Sequence, residues 1–386
     1  MKVYLDYAAT TPVDPLVFSK MKPYFSQHFG NSASTHYWGK KAREALEKSR
    51  LTISRLLKVQ PEEIIFTSSA TESNNFILKG IAEAYKDKGR HLIISQIEHP
   101  SILETGRFLE KNGFRVSWLA VDDYGLVNPE ALKKLLSPET ILVSIMHVNN
   151  EIGVIEPLTQ IGKIIKDYNP SILFHTDASQ SFGKIPLNLS QSRIDLLTAS
   201  SHKIYGPKGA ALAYLKKGIK IEPLLLGGGQ EFGLRSSTSN VPAIVGFAEA
   251  SQLAYKRMSV DFLKAKKLRQ KILKTALALK GVWLNGHPVK SSPYILNLSF
   301  DFIEGDALMN LLNEKGIAVS TGSACSSEKL ESSHVLSALK INPSRAHSSL
   351  RISLGRYSSE AEINYFLKEL SLAVQKLRKI SPFKIN

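Results

Sequence analysis

Short apolar runs alternate with helical stretches along most of this chain. Glu63-Ile64-Ile65-Phe66-Thr67, His91-Leu92-Ile93-Ile94-Ser95, Thr140–Met146, Ile172–His175 and Ile194–Thr198 read as strands. Helices are predicted from about Ala70 to Lys88, closed by Gly89, from about Ser101 to Lys111, and near Pro129–Leu136. This βα rhythm argues for an α/β fold with a mostly parallel sheet and helices on both faces. A basic helix beginning near Pro242 interrupts it. Beyond that helix, Tyr294–Phe300 and Ile317–Ser320 read as strands, and Gly305–Lys315 and Ser359–Lys379 as helices. The expected division is a large α/β domain over residues 15–245 and a smaller α+β domain over 246–386, with residues 1–14 packed against the smaller one.

Composition narrows the class. With 386 residues, 43% of them hydrophobic, the chain has ample apolar material for two or three domains. The N-terminus lacks the apolar core of a signal peptide, and no run approaches the roughly 18 apolar residues of a membrane span. Basic residues exceed acidic ones by 50 to 34, a formal charge of +16. Much of the excess lies between Lys256 and Lys280, where Leu263, Leu268, Ile272, Leu273 and Leu277 recur at helical spacing. That pattern reads as a helix with a solvated basic face. No interleaved aromatics accompany it, so direct nucleic-acid binding is not expected. The single cysteine, Cys325, excludes an internal disulfide or a cysteine-ligated cluster within one chain. It suits a reducing compartment, and a cytoplasmic protein is expected.

In open α/β sheets ligands bind at the carboxyl ends of the strands, and the polar oddities of this chain gather there. After Thr67 comes Ser68-Ser69-Ala70-Thr71-Glu72, a capping box with Ser69 at the N-cap and Glu72 three residues on, and a natural phosphate seat. Later strands end in Glu98-His99-Pro100, His147-Val148-Asn149-Asn150-Glu151, His175-Thr176-Asp177-Ala178-Ser179-Gln180 and Ser200-Ser201-His202-Lys203. Each alone could be a satisfied polar strand end, and a lysine–aspartate pair could be structural. Together they describe a pocket. Neither Gly-x-Gly-x-x-Gly nor Gly-Lys-Ser/Thr occurs, which weakens dinucleotide and nucleoside-triphosphate readings. A lysine and an aspartate at neighbouring strand ends, beside a helix-bound phosphate, match what pyridoxal 5′-phosphate requires. Lys203 would form the Schiff base, and Asp177 would keep the pyridine nitrogen protonated. Cys325 lies in Ser320-Thr321-Gly322-Ser323-Ala324-Cys325-Ser326-Ser327, which is loop chemistry rather than the core setting usual for a free thiol.

Asp177-Ala178-Ser179-Gln180, Ser200-Ser201-His202-Lys203-Ile204-Tyr205-Gly206-Pro207-Lys208-Gly209 and Gly322-Ser323-Ala324-Cys325 resemble the cysteine desulfurases. These are fold-type I, class V aminotransferase-like pyridoxal-phosphate enzymes, and the likeness is to the group I branch serving iron–sulfur assembly. It spans nearly the whole chain, including Tyr4–Pro12, Phe29-Gly30-Asn31-Ser32, Ala70-Thr71-Glu72-Ser73-Asn74 and His347–Arg356. The resemblance implies Lys203, Cys325 and His99 as catalytic residues, with His99 stacked on the cofactor ring. It implies Ala70, Thr71, Ser200 and His202 around the phosphate, with Thr238 supplied by the second subunit of a homodimer. Gln180 and Asn150 would meet the ring hydroxyl and the substrate. Arg351, with Asn31, would hold the substrate carboxylate, and no metal is implied. L-Cysteine would become L-alanine while Cys325 took the sulfur as a persulfide for an acceptor protein, an iron–sulfur scaffold or a tRNA-thiolation protein. Ser201 stands where the family usually has glycine, Phe232 where arginine is frequent, and the chain stops at Asn386 where several relatives continue into a docking tail. A selenocysteine lyase or small-amino-acid aminotransferase of the same fold is the enzymatic alternative. A non-catalytic sulfur- or RNA-binding scaffold is the alternative outside enzymes.

Overall fold

The computed structural model describes residues 1–321 and 333–382; Cys325 lies outside the described residues. Twelve strands are described: β1 (Val3–Tyr4), β2 (Ile64–Thr67), β3 (His91–Ser95), β4 (Arg115–Leu119), β5 (Thr140–Ser144), β6 (Leu173–Asp177), β7 (Leu196–Ser200), β8 (Ala211–Leu215), β9 (Val282–Asn285), β10 (Ile295–Phe300), β11 (Ile317–Ala318) and β12 (Ser349–Ser353). Seven of them form one sheet in the order β2-β8-β7-β6-β5-β3-β4. Its pairings are parallel from β4 through to β7, and β8 runs antiparallel to both β7 and β2. Every residue of β2, β3, β5, β6, β7 and β8 is buried. That is why these strands read as continuous apolar runs rather than alternating ones.

The strand order reverses between β3 and β5. The chain passes outward from β3 to β4, then returns to the other side of β3 and proceeds through β5, β6 and β7. A crevice at the carboxyl ends beside such a reversal is where this architecture takes its ligand. The other five strands form two smaller sheets. β1 pairs in parallel with β11, and isolated bridges join Asp6 to Ser353 and Ser320 to Arg351. β12, β10 and β9 form an antiparallel sheet. Val3 and Leu5 share a core with Leu298, Phe300, Ile317, Leu350, Ile352 and Phe366. The helix Val241–Ala276 runs from the first core, where Phe247 and Ala254 are buried, to the second, where Leu268 and Ile272 are buried. At 1.5 Å per residue it spans about 54 Å.

Several sequence readings shift. The helix expected to reach Lys88 ends at Tyr85. Gly89 is required instead by a close approach, since a Cβ there would lie 2.2 Å from the Glu139 carbonyl oxygen. β6 and β7 sit about two residues later than the apolar runs suggested, so Asp177 and Ser200 are themselves the last residues of their strands. Their polar ends are tolerated because neighbouring strands satisfy them: His175 bonds Ser144 at 2.9 Å and Thr198 at 3.2 Å. In the basic helix Leu268 and Ile272 are buried, but Leu263 and Leu277 are exposed. Nine residues at 100° each place Leu277 on the face opposite Leu268.

Candidate active site

At the end of β6 the Asp177 carboxylate is buried, and each of its oxygens accepts a hydrogen bond. Asn74 Nδ2 donates to Oδ2 at 2.8 Å, and the Ser179 N–H donates to Oδ1 at 2.8 Å. Asn74 comes from the helix Ala70–Tyr85 and also donates to Ser101 Oγ at 2.9 Å. Ser101 in turn serves His99: its N–H lies 3.1 Å and its hydroxyl 2.9 Å from Nδ1. Nδ1 is therefore an acceptor, and the proton of the neutral ring sits on Nε2. Burial lowers the His99 pKa, Asp177 opposes this and Lys203 reinforces it. His99 stands there because it is the N-cap of the helix Pro100–Lys111, directly after β3. Behind Asp177, burial pushes His175 down to about 4, so it bonds its neighbours as a neutral ring.

Lys203 closes the short 3₁₀ turn Ser201–Lys203 that follows β7. Its Nζ donates to the carbonyls of Ala8 at 2.6 Å and Ala9 at 2.7 Å. Gln180 Nε2 donates to the same Ala8 carbonyl at 2.9 Å. The N-terminal segment is itself laced to the lysine turn: Thr11 N–H and Oγ1 both donate to the His202 carbonyl, and Tyr205 N–H donates to Thr11 Oγ1 at 2.8 Å. His202 Nδ1 lies 3.1 Å from Thr10 Oγ1, and burial, then the nearby lysines, push its pKa to about 4. Ser201 packs on Gly206, where an added Cβ would meet its Oγ at 2.0 Å.

Arg351, on β12, reaches the same segment. Nη2 donates to Asp6 Oδ1 at 2.9 Å and Nη1 to the Asn150 carbonyl at 3.1 Å. Its Nε is buried and has no hydrogen-bond partner among the described residues. A guanidinium with a spare buried N–H beside an engaged Nη2 has an edge suited to a carboxylate. The structure thus gathers His99, Asp177, Gln180, Lys203, Asn150 and Arg351, linked through Asn74, Ser101 and the carbonyls of residues 8, 9 and 150.

At the start of the helix Ala70–Tyr85, Ser69 Oγ accepts the Glu72 N–H at 3.1 Å, half of the expected capping box. The other half differs: Glu72 accepts from the N–H and hydroxyl of Ser68, one residue before the N-cap. Ala70 is partly exposed and Thr71 exposed, with Ser200 buried at the end of β7. Asn31 and Thr238 do not join the cluster within this chain. Asn31 is exposed and its Oδ1 accepts the Ala33 N–H at 2.9 Å, while Thr238 is exposed three residues beyond Arg235.

The residues fit pyridoxal phosphate on the structure's own terms. Among the described residues no partner is found for the buried Gln180 Oε1, Ser179 Oγ and Asn74 Oδ1 near the end of β6, or for Ser201 Oγ just after β7. Buried polar atoms are ordinarily satisfied, so a cluster of orphans beside a carboxylate and a lysine is a place prepared for a polar group. Asn74 and the Asp6–Thr11 segment entered the sequence reading only as parts of matching motifs, with no role assigned, and Ser101 only as a helix start. For Asn74 a signal existed, since Ser73 and Asn74 are wholly buried polar residues on an otherwise apolar helix face.

The aminotransferase class-V family model matches residues 3–366. Cysteine desulfurase IscS of Dictyoglomus turgidum is 46% identical over 384 residues, covering 99% of this chain and 97% of that one. The mitochondrial cysteine desulfurase of Saccharomyces cerevisiae is 45% identical over 98% of this chain and 76% of its own length. Among solved structures, a NifS-like protein superposes with a TM-score of 0.93 at 41% identity, covering 97% of this chain and all of that one.

Proposed function

The chain belongs to the aminotransferase class-V family, whose cysteine desulfurases depend on pyridoxal phosphate, and we propose that it takes sulfur from free L-cysteine, releases L-alanine and carries the sulfur away as a persulfide on Cys325. The observation that carries this reading is that His99, after β3, feels the charges of both Asp177, at the end of β6, and Lys203, after β7, while Asn74 and Ser101 link His99 to Asp177 by hydrogen bonds. When bound, pyridoxal phosphate withdraws electrons from the α-carbon of the substrate, so that its proton leaves and its carbon–sulfur bond weakens.

The chain's residues divide the remaining work. Asp177, oriented by Asn74 and the Ser179 N–H, holds a proton on the pyridine nitrogen. Lys203 would supply the amine that holds the cofactor, and its Nζ is directed by the carbonyls of Ala8 and Ala9. His99 presents a proton at Nε2 and, with its lowered pKa, stays neutral at pH 7 and able to exchange it. Arg351 binds the substrate carboxylate through its spare Nε edge, backed by Asp6. Ala70, Thr71, Ser200 and His202 hold the phosphate at the helix start, and Gln180 and Asn150 orient the ring and substrate.

We further propose a homodimer in which Thr238 completes the partner's phosphate site. Phe18, Phe25, Phe29, Tyr37, Trp38 and Phe232 are all exposed, with Phe29 stacked on Trp38 at 5.5 Å, and an aromatic belt of this kind suits a buried interface. The sulfur acceptor is proposed to be an iron–sulfur scaffold or a tRNA-thiolation protein. A cytoplasmic location is proposed on the lone thiol, which suits a reducing compartment; no helix among the described residues is long and apolar enough to cross a membrane. Intact mass after brief incubation with L-cysteine tests the reading: one added sulfur on Cys325 is expected, and its absence in cofactor-loaded protein refutes it. Cys325→Ala should abolish alanine release and leave the visible cofactor absorbance intact, whereas full activity would favour an aminotransferase or lyase.

A further inference from the structure

Two ion pairs hold residues 227–238, one to the helix Tyr37–Leu57 and one to the turn that opens the helix Ala70–Tyr85. In the first, Arg50 Nη1 and Nη2 each lie 2.8 Å from the Glu231 carboxylate, which also accepts the Phe66 N–H at 2.8 Å. In the second, Arg235 Nε donates to Glu72 Oε1 at 2.7 Å and Nη2 to Oε2 at 3.1 Å. Glu72 Oε2 also takes the Ser68 N–H at 2.9 Å and the Ser68 hydroxyl.

A carboxylate at that position is at odds with a phosphate seat. Amide groups and the helix dipole favour one anion at a helix start, but a resident carboxylate repels a second. Burial pushes the Glu72 carboxyl up, yet the bonds from Arg235 and Ser68 hold it below its ordinary value, so it is charged at neutral pH. We propose that Arg235 is the residue that makes this turn usable by a phosphate monoester: its guanidinium cancels the Glu72 charge while Glu72 holds Ser68 in place. This deepens the pyridoxal-phosphate reading and rests on it. The pair is not needed merely to hold the segment, because Arg50 and Glu231 anchor it separately. Glu231 and Phe232 adopt left-handed backbone there, with φ of 48° and 61°, and Phe232 covers Arg50 with its ring 4.9 Å away.

The test is a titration of cofactor-free protein with pyridoxal phosphate and, separately, with pyridoxal, read by the visible absorbance of the Lys203-linked cofactor. Arg235→Gln should weaken pyridoxal phosphate by at least about tenfold and pyridoxal by no more than about twofold. Adding Glu72→Gln to Arg235→Gln should restore pyridoxal phosphate to within about threefold of the parent, and Arg235→Lys, which keeps the charge, should do nearly as well. Equal weakening of both ligands, no weakening, or a double variant as poor as Arg235→Gln alone would each overturn the proposal. Failure of the unmodified protein to develop the absorbance would instead remove the cofactor reading itself.

Discussion

Replacing Glu231 with glutamine exchanges one oxygen for one nitrogen and so probes charge at nearly constant shape. Glu231 meets three donors, two from Arg50 and one from the Phe66 N–H, all at 2.8 Å. A glutamine keeps one acceptor oxygen and turns an NH₂ toward groups that can only donate. Arg50 is meanwhile 2% exposed and remains charged in the folded protein, because its burial is outweighed by Glu231 and Glu47. Breaking a buried pair by removing one partner typically costs about 3–5 kcal/mol. Arg50 retains the Ile64 carbonyl at 2.5 Å and the half-exposed Glu47 at 3.1 Å, and its guanidinium lies between the rings of Phe66 and Phe232 at 4.9 Å each. The lower end applies, so the expected loss is about 3 kcal/mol.

Equilibrium unfolding in guanidinium chloride, followed by far-ultraviolet circular dichroism, measures this directly. The decisive comparison adds Arg50→Met to Glu231→Gln. With the charge gone, a methionine between two aromatic rings makes favourable sulfur contacts. The double variant should then return to within about 1 kcal/mol of the parent, as apolar replacement of buried pairs does elsewhere. A loss below about 1 kcal/mol in Glu231→Gln, or a double variant less stable than the single, would refute the reasoning. The left-handed backbone at Glu231 and Phe232 costs about 1–2 kcal/mol per residue and is held by the pair. Glu231→Gln, by loosening the segment that carries Arg235, should therefore weaken pyridoxal phosphate more than pyridoxal.

Arg351→Lys should raise KM for L-cysteine by about 10- to 100-fold with a smaller change in kcat, since a lysine cannot reproduce the paired N–H edge; steady-state kinetics with unchanged KM would contradict the carboxylate assignment. The acid limb of the kcat/KM profile should fall below pH 6.5, because burial lowers the His99 pKa and activity is lost only when that ring takes a second proton; a limb above 6.5 would exclude His99 as its source. For stability the sign follows from His175, lowered from 6.5 to about 4. The unfolded chain binds its proton first, so the stability contribution is complete above pH 6.5 and lost as pH falls toward 4. His175→Gln should flatten that decline by up to ~1.4 kcal/mol per pH unit, measurable by unfolding at pH 4.5, 5.5 and 6.5.

How much of this was legible in the sequence depends on which part of a residue acts. Asp177, His99 and Lys203 are marked by polar side chains placed at the ends of apolar runs, and the structure sets all three at the carboxyl ends of strands of one sheet, after β3, β6 and β7. Ala8 and Ala9 carry no such mark: they act through carbonyls that every residue possesses, and only the fold chooses which carbonyls face Lys203. Arg50 shows the opposite failure. On a helix of mixed charge it looks solvated, yet it is buried because its partner lies 181 residues away. Phe232 likewise looks like a departure from a family pattern until the cation beneath it is seen. Leu263 and Leu277 err for a third reason, since an apolar residue within a helical pattern belongs to the core only if its angle agrees with its neighbours, and theirs face solvent. Side-chain chemistry at strand ends is thus readable locally. Backbone acceptors and long-range charge partners are set by the three-dimensional pairing alone, and it is those that hold Lys203 Nζ and anchor residues 227–238.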